Sequence, residues 1–381
     1  MLERKRWALV RTKVKIADFI LRNIVRPLLA ILMALLIGAL IILLSNQSPI
    51  EAYSKMFFGA FGNFNRVAET LERSIPVTIA ALGVSVAFTC GVFNVGVEGS
   101  LYLGAFMAFL LGNKLVLPPV IHVLVTLVGS MVVGAAWAFV PGYARAYYKA
   151  DESVTTILLN YVAILLTSYL VAVPFKDLTA GTQQTPPINP SAYLPRFWAS
   201  SRVHAGLLIG IGLAFFLNWV FRRTTLGYNI RMVGKSNTFA EYAGINVPRT
   251  MVKSMLISGA IGGLAGASQV MGILHRFIDN FSPGYGFDGV MVALLARNHP
   301  LGILLSGIFY GALQTGASYM DRTTAVPKEL LNSLVAVIIF FVTAEGLFAF
   351  AQSSAAFREK LQAWHILPGT AKKGGDDKWG T

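Results

Sequence analysis

Residues 90–105 read CGVFNVGVEGSLYLGA. One Asn, one Glu and four glycines interrupt apolar sequence that carries no Asp, Glu, Lys, Arg or His from Ser74 to Val97, nor from Gly99 to Asn113. Apolar runs of that length read as helices at bilayer depth. A break between two such helices exposes backbone N–H and C=O groups, which lipid does not satisfy; protein or a water-filled cavity must do so. The stretch therefore signals a path through a membrane bundle. A plainer reading stands beside it, in which Glu98 caps the first turn of a helix and the glycines only permit close packing.

Composition supports the membrane reading. Of 381 residues, 55% are hydrophobic and only 13% charged, whereas a soluble domain carries about 25% charged residues. At roughly 30 to 40 residues per span and connection, around ten spans fit. Apolar stretches predict them near 27–45, 74–93, 97–113, 117–141, 153–174, 204–221, 253–273, 284–298, 300–319 and 330–350. The fold class is thus all-α, a polytopic bundle of about ten spans, flanked by a basic segment at 1–26 and a polar tail at 351–381. Spans three and eight are the weak ones. Glu98 heads the third, and Asp288 and Arg297 bracket only eight residues of the eighth, too few to cross roughly 30 Å of hydrocarbon.

The formal net charge of +14 would suggest nucleic acid in a soluble protein. Here it reads as cytoplasmic loop bias. With both termini inside, 22 of the 32 Lys and Arg fall in cytoplasmic segments. Were spans three and eight both re-entrant, the most basic internal loop, 222–253, would face outwards, so ten spans are preferred. Eight basic residues precede Pro27 with no small-residue cleavage site after the first apolar run, which predicts a retained span. Cys90 is the only cysteine, so neither an internal disulfide nor a thiolate metal cluster is possible.

Several chemistries find no support. Gly234-Lys235-Ser236 mimics the end of a phosphate-binding loop, but Asn229 stands where that motif needs its first glycine. The five histidines are scattered singly, and no Gly-x-Ser-x-Gly elbow occurs. This leaves no catalytic residues, no metal and no cofactor on the chain. Asn160, about eight residues into span five, reads first as an interhelical hydrogen-bonding residue. Phe93 and Tyr161 could stack on a planar ring, although aromatics are common in any span. Gly96-Val97-Glu98-Gly99 is echoed 190 residues later by Gly286-Phe287-Asp288-Gly289, a faint sign of internal duplication, and transporters often place substrate at such repeat interfaces. On that reasoning the candidate path is Phe93, Asn94, Glu98, Asn160, Tyr161 and Asp288. In the basic loop, NTFAEYAGI at 237–245 reads as a short surface helix that lies on lipid or docks on a partner.

FNVGVEGSLYLGA, VTTILLNYVA, GKSNTFAEYAGI and GYGFDGVMVALLARNHPLG occur in this order between about 70 and 350. Together they resemble the permease subunits of bacterial ABC importers of the branched-chain amino acid and simple-sugar family, most closely its nucleoside branch. The resemblance implies a fold similar to the vitamin B12 permease and a cell-membrane location. It implies as partners a separate ATPase holding ATP and Mg, a receptor lipoprotein, and a second permease chain, a heterodimer being favoured. It also places Ala240, Glu241, Tyr242, Ala243 and Gly244 on the helix that couples to the ATPase. Arg66 and Arg73, read in the first outer loop, receive no role. The substrate is then a nucleoside, with a pentose or hexose as the alternative. An ion-coupled secondary transporter would instead use Glu98, Asp288 and Glu345 as ion sites.

Overall fold

The computed structural model describes residues 26–44, 47–198 and 201–324, with positions 333 and 337 beyond them. The basic segment at 1–25, most of the tenth expected span, Glu345 and the tail lie outside the described residues. Residues Ile37–Val335 form one compact unit.

The described elements are helical: α1 (Arg26–Leu44), α2 (Pro49–Phe61), α3 (Phe64–Thr89), α4 (Val97–Lys114), α5 (Pro119–Tyr148), α6 (Glu152–Ala172), α7 (Gly206–Arg223), α8 (Thr225–Lys235), α9 (Asn237–Tyr242), α10 (Val247–Gln269), α11 (Tyr285–Leu295) and α12 (Pro300–Thr323). Their starts follow local chemistry. Ser48, Asn63, Asp151, Thr224, Ser236 and Asn246 each accept a backbone N–H of the first turn through a side-chain oxygen, which satisfies donors that a helix end otherwise leaves unpaired. Among the described residues, six helices are long and apolar enough to cross a membrane, namely α3, α5, α6, α7, α10 extended through Leu274, and α12.

Two expectations need correction. Residues 46–73, read as an outer loop, hold α2 and the first turns of α3, so Arg66 and Arg73 are helical. The sequence concealed this because Glu51 and Lys55 in α2 and Arg66, Glu69, Glu72 and Arg73 in α3 break the apolar run although both helices continue through them. Span eight, expected over 284–298, holds an 11-residue helix, about 17 Å long at 1.5 Å per residue, shorter than the expected stretch.

Core position separates the helices. α3 and α10 are mostly buried inside the fold, as is α4, whereas α5, α6 and α7 turn most of their apolar surface outwards. α10 packs on α3, α4 and α5. It comes close because small residues face small residues: Gly263 lies against Ser130, Gly134 and Gly104, the kind of contact by which helices pack without a hydrophobic driving force. The packing also exchanges partners. α4 and α5 lie on α10, while α11 and α12 lie on α3.

Candidate functional site

The broken segment does not simply return the chain to the surface. α3 begins beside the 175–203 loop, and its end, Thr89 and Cys90, sits against Gly234 of α8 in the basic loop. From Gly91, which adopts φ +78°, the chain turns back, and α4 starts alongside Gly262 in the body of α10. It ends with Gly112 packed on Ile188 and Ala192 of the long loop. α11 does the reverse. It starts near Glu98, passes Ala80 and Ala81 of α3 at Gly289, and leads towards His299, which accepts from Arg222 at 3.3 Å. Two short helices therefore meet head to head inside the bundle.

Glu98 joins them. Its carboxylate accepts the Gly286 backbone N–H and the Ser282 hydroxyl, the latter at 2.6 Å. Ser282 in turn accepts the Tyr285 N–H at 3.0 Å. A side chain at position 286 would strike the Glu98 backbone, so the approach requires glycine. The carboxylate lies in the first turn of α4 and faces the first turn of α11, where both helix dipoles present their positive ends. The buried carboxyl group is held here by oriented donors.

The two asparagines secure the break. Asn94 donates to Ser258 Oγ at 2.8 Å and accepts the Gly96 N–H at 2.8 Å. Asn160 accepts the Gly99 N–H at 2.8 Å and donates to the Val95 carbonyl at 3.0 Å. Both are buried. Unwound backbone thus finds protein partners, as bilayer depth demands. The other expected residues lie apart. Phe93 is exposed and stacks on Phe88 with ring centroids 4.7 Å apart. Tyr161 is 61% exposed on the outer face of α6. Asp288 is half-buried and takes a hydrogen bond from Tyr310, whose oxygen accepts Gln314 Nε2 at 2.7 Å. Ser258 and Ser282 were missed, because serines in apolar helices are common; Ser282-Pro283-Gly284 just before an apolar run was the available helix-start signal.

In the basic loop the helix α9 covers Asn237–Tyr242 only, and Ala243 and Gly244 form its C-terminal turn, Gly244 with φ +75°. That corrects their placement on the helix itself. Ala240 is buried against the fold, while Tyr242 is 88% exposed. At the opposite end the 175–203 loop is tied to the end of α10. Ile188 N–H donates to the His275 carbonyl at 2.8 Å, and Arg196 donates to His275 Nε2 at 2.9 Å. Burial, reinforced by the Arg196 and Arg276 charges, keeps the His275 imidazole below its usual pKa.

Residues 66–344 match the family described as branched-chain amino acid transport system / permease component. The chain belongs to it. It is 35% identical to the guanosine ABC transporter permease protein NupP of Bacillus subtilis, over 84% of this chain and 93% of that one. It is 34% identical to the nucleoside ABC transporter permease protein NupB of Lactococcus lactis, over 84% and 91%. It is 31% identical to the glucose ABC transporter permease protein TsgB13 of Haloferax volcanii, over 93% and 94%. The chain is therefore a multi-pass membrane permease component, and the joined half-helices lie within its matched region.

Proposed function

We propose that this chain is the transmembrane subunit of an ATP-driven importer that carries a nucleoside, delivered by a receptor lipoprotein, into the cell by alternating access. The observation that carries the reading is the Glu98 junction. Helices that stop inside a bundle are the feature transporters use to build a site at depth, and the nucleoside permeases among the relatives supply the substrate. The path then passes the junction, with Glu98 and Asp288 at the heads of the half-helices and Asn94 and Asn160 holding the break. Phe93 and Tyr161 are the aromatics available to a base.

ATP and Mg belong to a separate ATPase that docks on Ala240, Glu241, Tyr242, Ala243 and Gly244; the exposed Tyr242 suits such a contact. A second permease chain, different from this one, covers apolar surface of α6. Ten spans, both termini inside, and a fold similar to the vitamin B12 permease follow from the charge bias and the resemblance. The exchanged packing of α4–α5 on α10 and α11–α12 on α3 favours internal duplication.

A sugar is the second reading, favoured by the Haloferax relative. The complete transporter in proteoliposomes, with ATP inside and receptor outside, decides between them. It should accumulate guanosine and not glucose. Glucose accumulation would move the substrate to sugars. Guanosine uptake by this chain alone under a proton gradient would overturn the importer.

A further inference from the structure

At the end of the bundle beside the 175–203 loop, α3, α11 and residues 201–202 enclose a cleft of about 530 Å³. None of the roles above uses it. Its volume lies within the range of small-molecule sites. Glu69, Glu72, Arg73 and Arg202 line it, two carboxylates against two guanidiniums, so its charges cancel. Arg73 grips Glu69 at 2.8 Å and reaches Ser318 at 3.2 Å. Glu69 also lines a second chamber of about 300 Å³, together with Thr315, Ser318, Tyr319 and two further cations, Arg66 and Arg322.

An independent feature points to a ligand. Ser201 is only 8% exposed and Thr315 only 2%. The hydroxyl of each has no hydrogen-bond partner among the described residues, and each lines one chamber. A buried hydroxyl left unpaired costs free energy that a polar guest would recover. Glu72 likewise receives no hydrogen bond from the described residues. In the first cleft, then, Ser201 and Glu72 stand idle where two carboxylates face two guanidiniums, which suits a neutral molecule rich in hydroxyls better than an ion. The wall includes Tyr285, and the next residue, Gly286, is the one bound by Glu98.

We propose that this cleft is a receiving site, where a neutral polyhydroxylated solute binds before it meets the α4–α11 junction. Its identification with the ribose of a nucleoside rests on the importer reading. Glu72 accepts the sugar hydroxyls, and Ser201 completes its own bonding with them.

The test is a thiol-protection experiment on the assembled transporter in nanodiscs. Cys90 is the only natural cysteine and is buried, so Asn65→Cys places one reactive thiol at the exposed mouth of the cleft. Saturating guanosine should slow its modification by a charged thiol reagent at least about threefold, and Glu72→Gln in the same background should abolish the protection. In proteoliposomes Glu72→Gln alone should lower guanosine uptake about tenfold while receptor capture stays intact. Protection decides the cleft, and wild-type uptake decides the importer. Protection by glucose rather than guanosine would keep the cleft and change the substrate. No protection by either would leave a solvent vestibule and overturn the site. Loss of receptor capture in Glu72→Gln would make it a docking surface, which also overturns it.

Discussion

Replacing Asn160 by Leu removes two bonds while nearly preserving volume. The Gly99 N–H, now bonded at 2.8 Å, and the Val95 carbonyl, bonded at 3.0 Å, would lose the side chain that pairs them inside the fold. Each buried orphan costs about 1 to 3 kcal/mol, so the pair amounts to about 2 to 6 kcal/mol of strain on the broken segment. If only about 1.4 kcal/mol of that reaches the rate-limiting complex, uptake falls about tenfold. The remainder should lower the unfolding midpoint of the purified complex, because the clamp is part of the native fold. Uptake in proteoliposomes, corrected for inserted protein, and thermal unfolding in detergent would be measured on the same preparation. A drop in uptake with no change in midpoint would mean that Asn160 touches solute rather than holding the break. No change in either would refute the clamp.

Glu241→Lys combined with Tyr242→Ala should abolish ATP-driven uptake while the chain remains inserted, since Tyr242 is exposed and contributes to no core; membrane quantitation alongside uptake checks this. Gly234→Ala should lower uptake severalfold and uncouple it from ATP hydrolysis, because a Cβ there collides with the Thr89 carbonyl at the end of α3, and overpacking of this kind costs about 1 to 3 kcal/mol. Labels at positions 55, 196 and 328 should be reached from outside and those at 149, 235 and 358 only after permeabilisation; outside access to 235 would overturn the ten-span topology. His275 gives a pH test. Its folded pKa lies below the unfolded value, so the unfolded chain takes up the proton first, and stability present above about pH 6.5 should decline as pH falls below it. His275→Gln should flatten that decline in thermal scans.

Sequence and structure agree where the physics is local or one-sided. Uninterrupted apolar runs locate α5, α6, α7 and α10, since a charge at bilayer depth is costly wherever it occurs. The break at 90–99 is legible for the same reason. α2 and the start of α3 are not, because Arg66, Glu69 and Arg73 satisfy each other or nearby groups at a membrane edge. Arg66, for instance, lies 3.8 Å from the Tyr319 ring centroid and donates to the Phe58 carbonyl at 3.0 Å. Pairing of Arg66 with Tyr319 joins residues 253 positions apart in the chain, which no window of sequence reports. Asn160 shows the same limit. Its interhelical bond was expected, but its partners, Gly99 and Val95, follow only from how α6 crosses the break.

The Gly96–Gly99 and Gly286–Gly289 motifs carry the strongest link between sequence and mechanism. Their acidic residues do not play matching parts: Glu98 binds the opposite half-helix, whereas Asp288 bonds within its own half through Tyr310. Separating α4 from α11 would leave the buried Glu98 carboxyl group without the Ser282 and Gly286 donors, and each buried polar group so unpaired costs about 1 to 3 kcal/mol. Alternating access is therefore easier by moving α4 and α11 as one body than by parting them. The contacts for such a movement are continuous. α9 packs on α8, Gly234 of α8 seats beneath the last turn of α3, and from there the break leads through the Asn94 and Asn160 clamps to Glu98. A displacement imposed at α9 has helices to act through up to the end of α3, and the non-helical stretch beyond is the one that both asparagines hold.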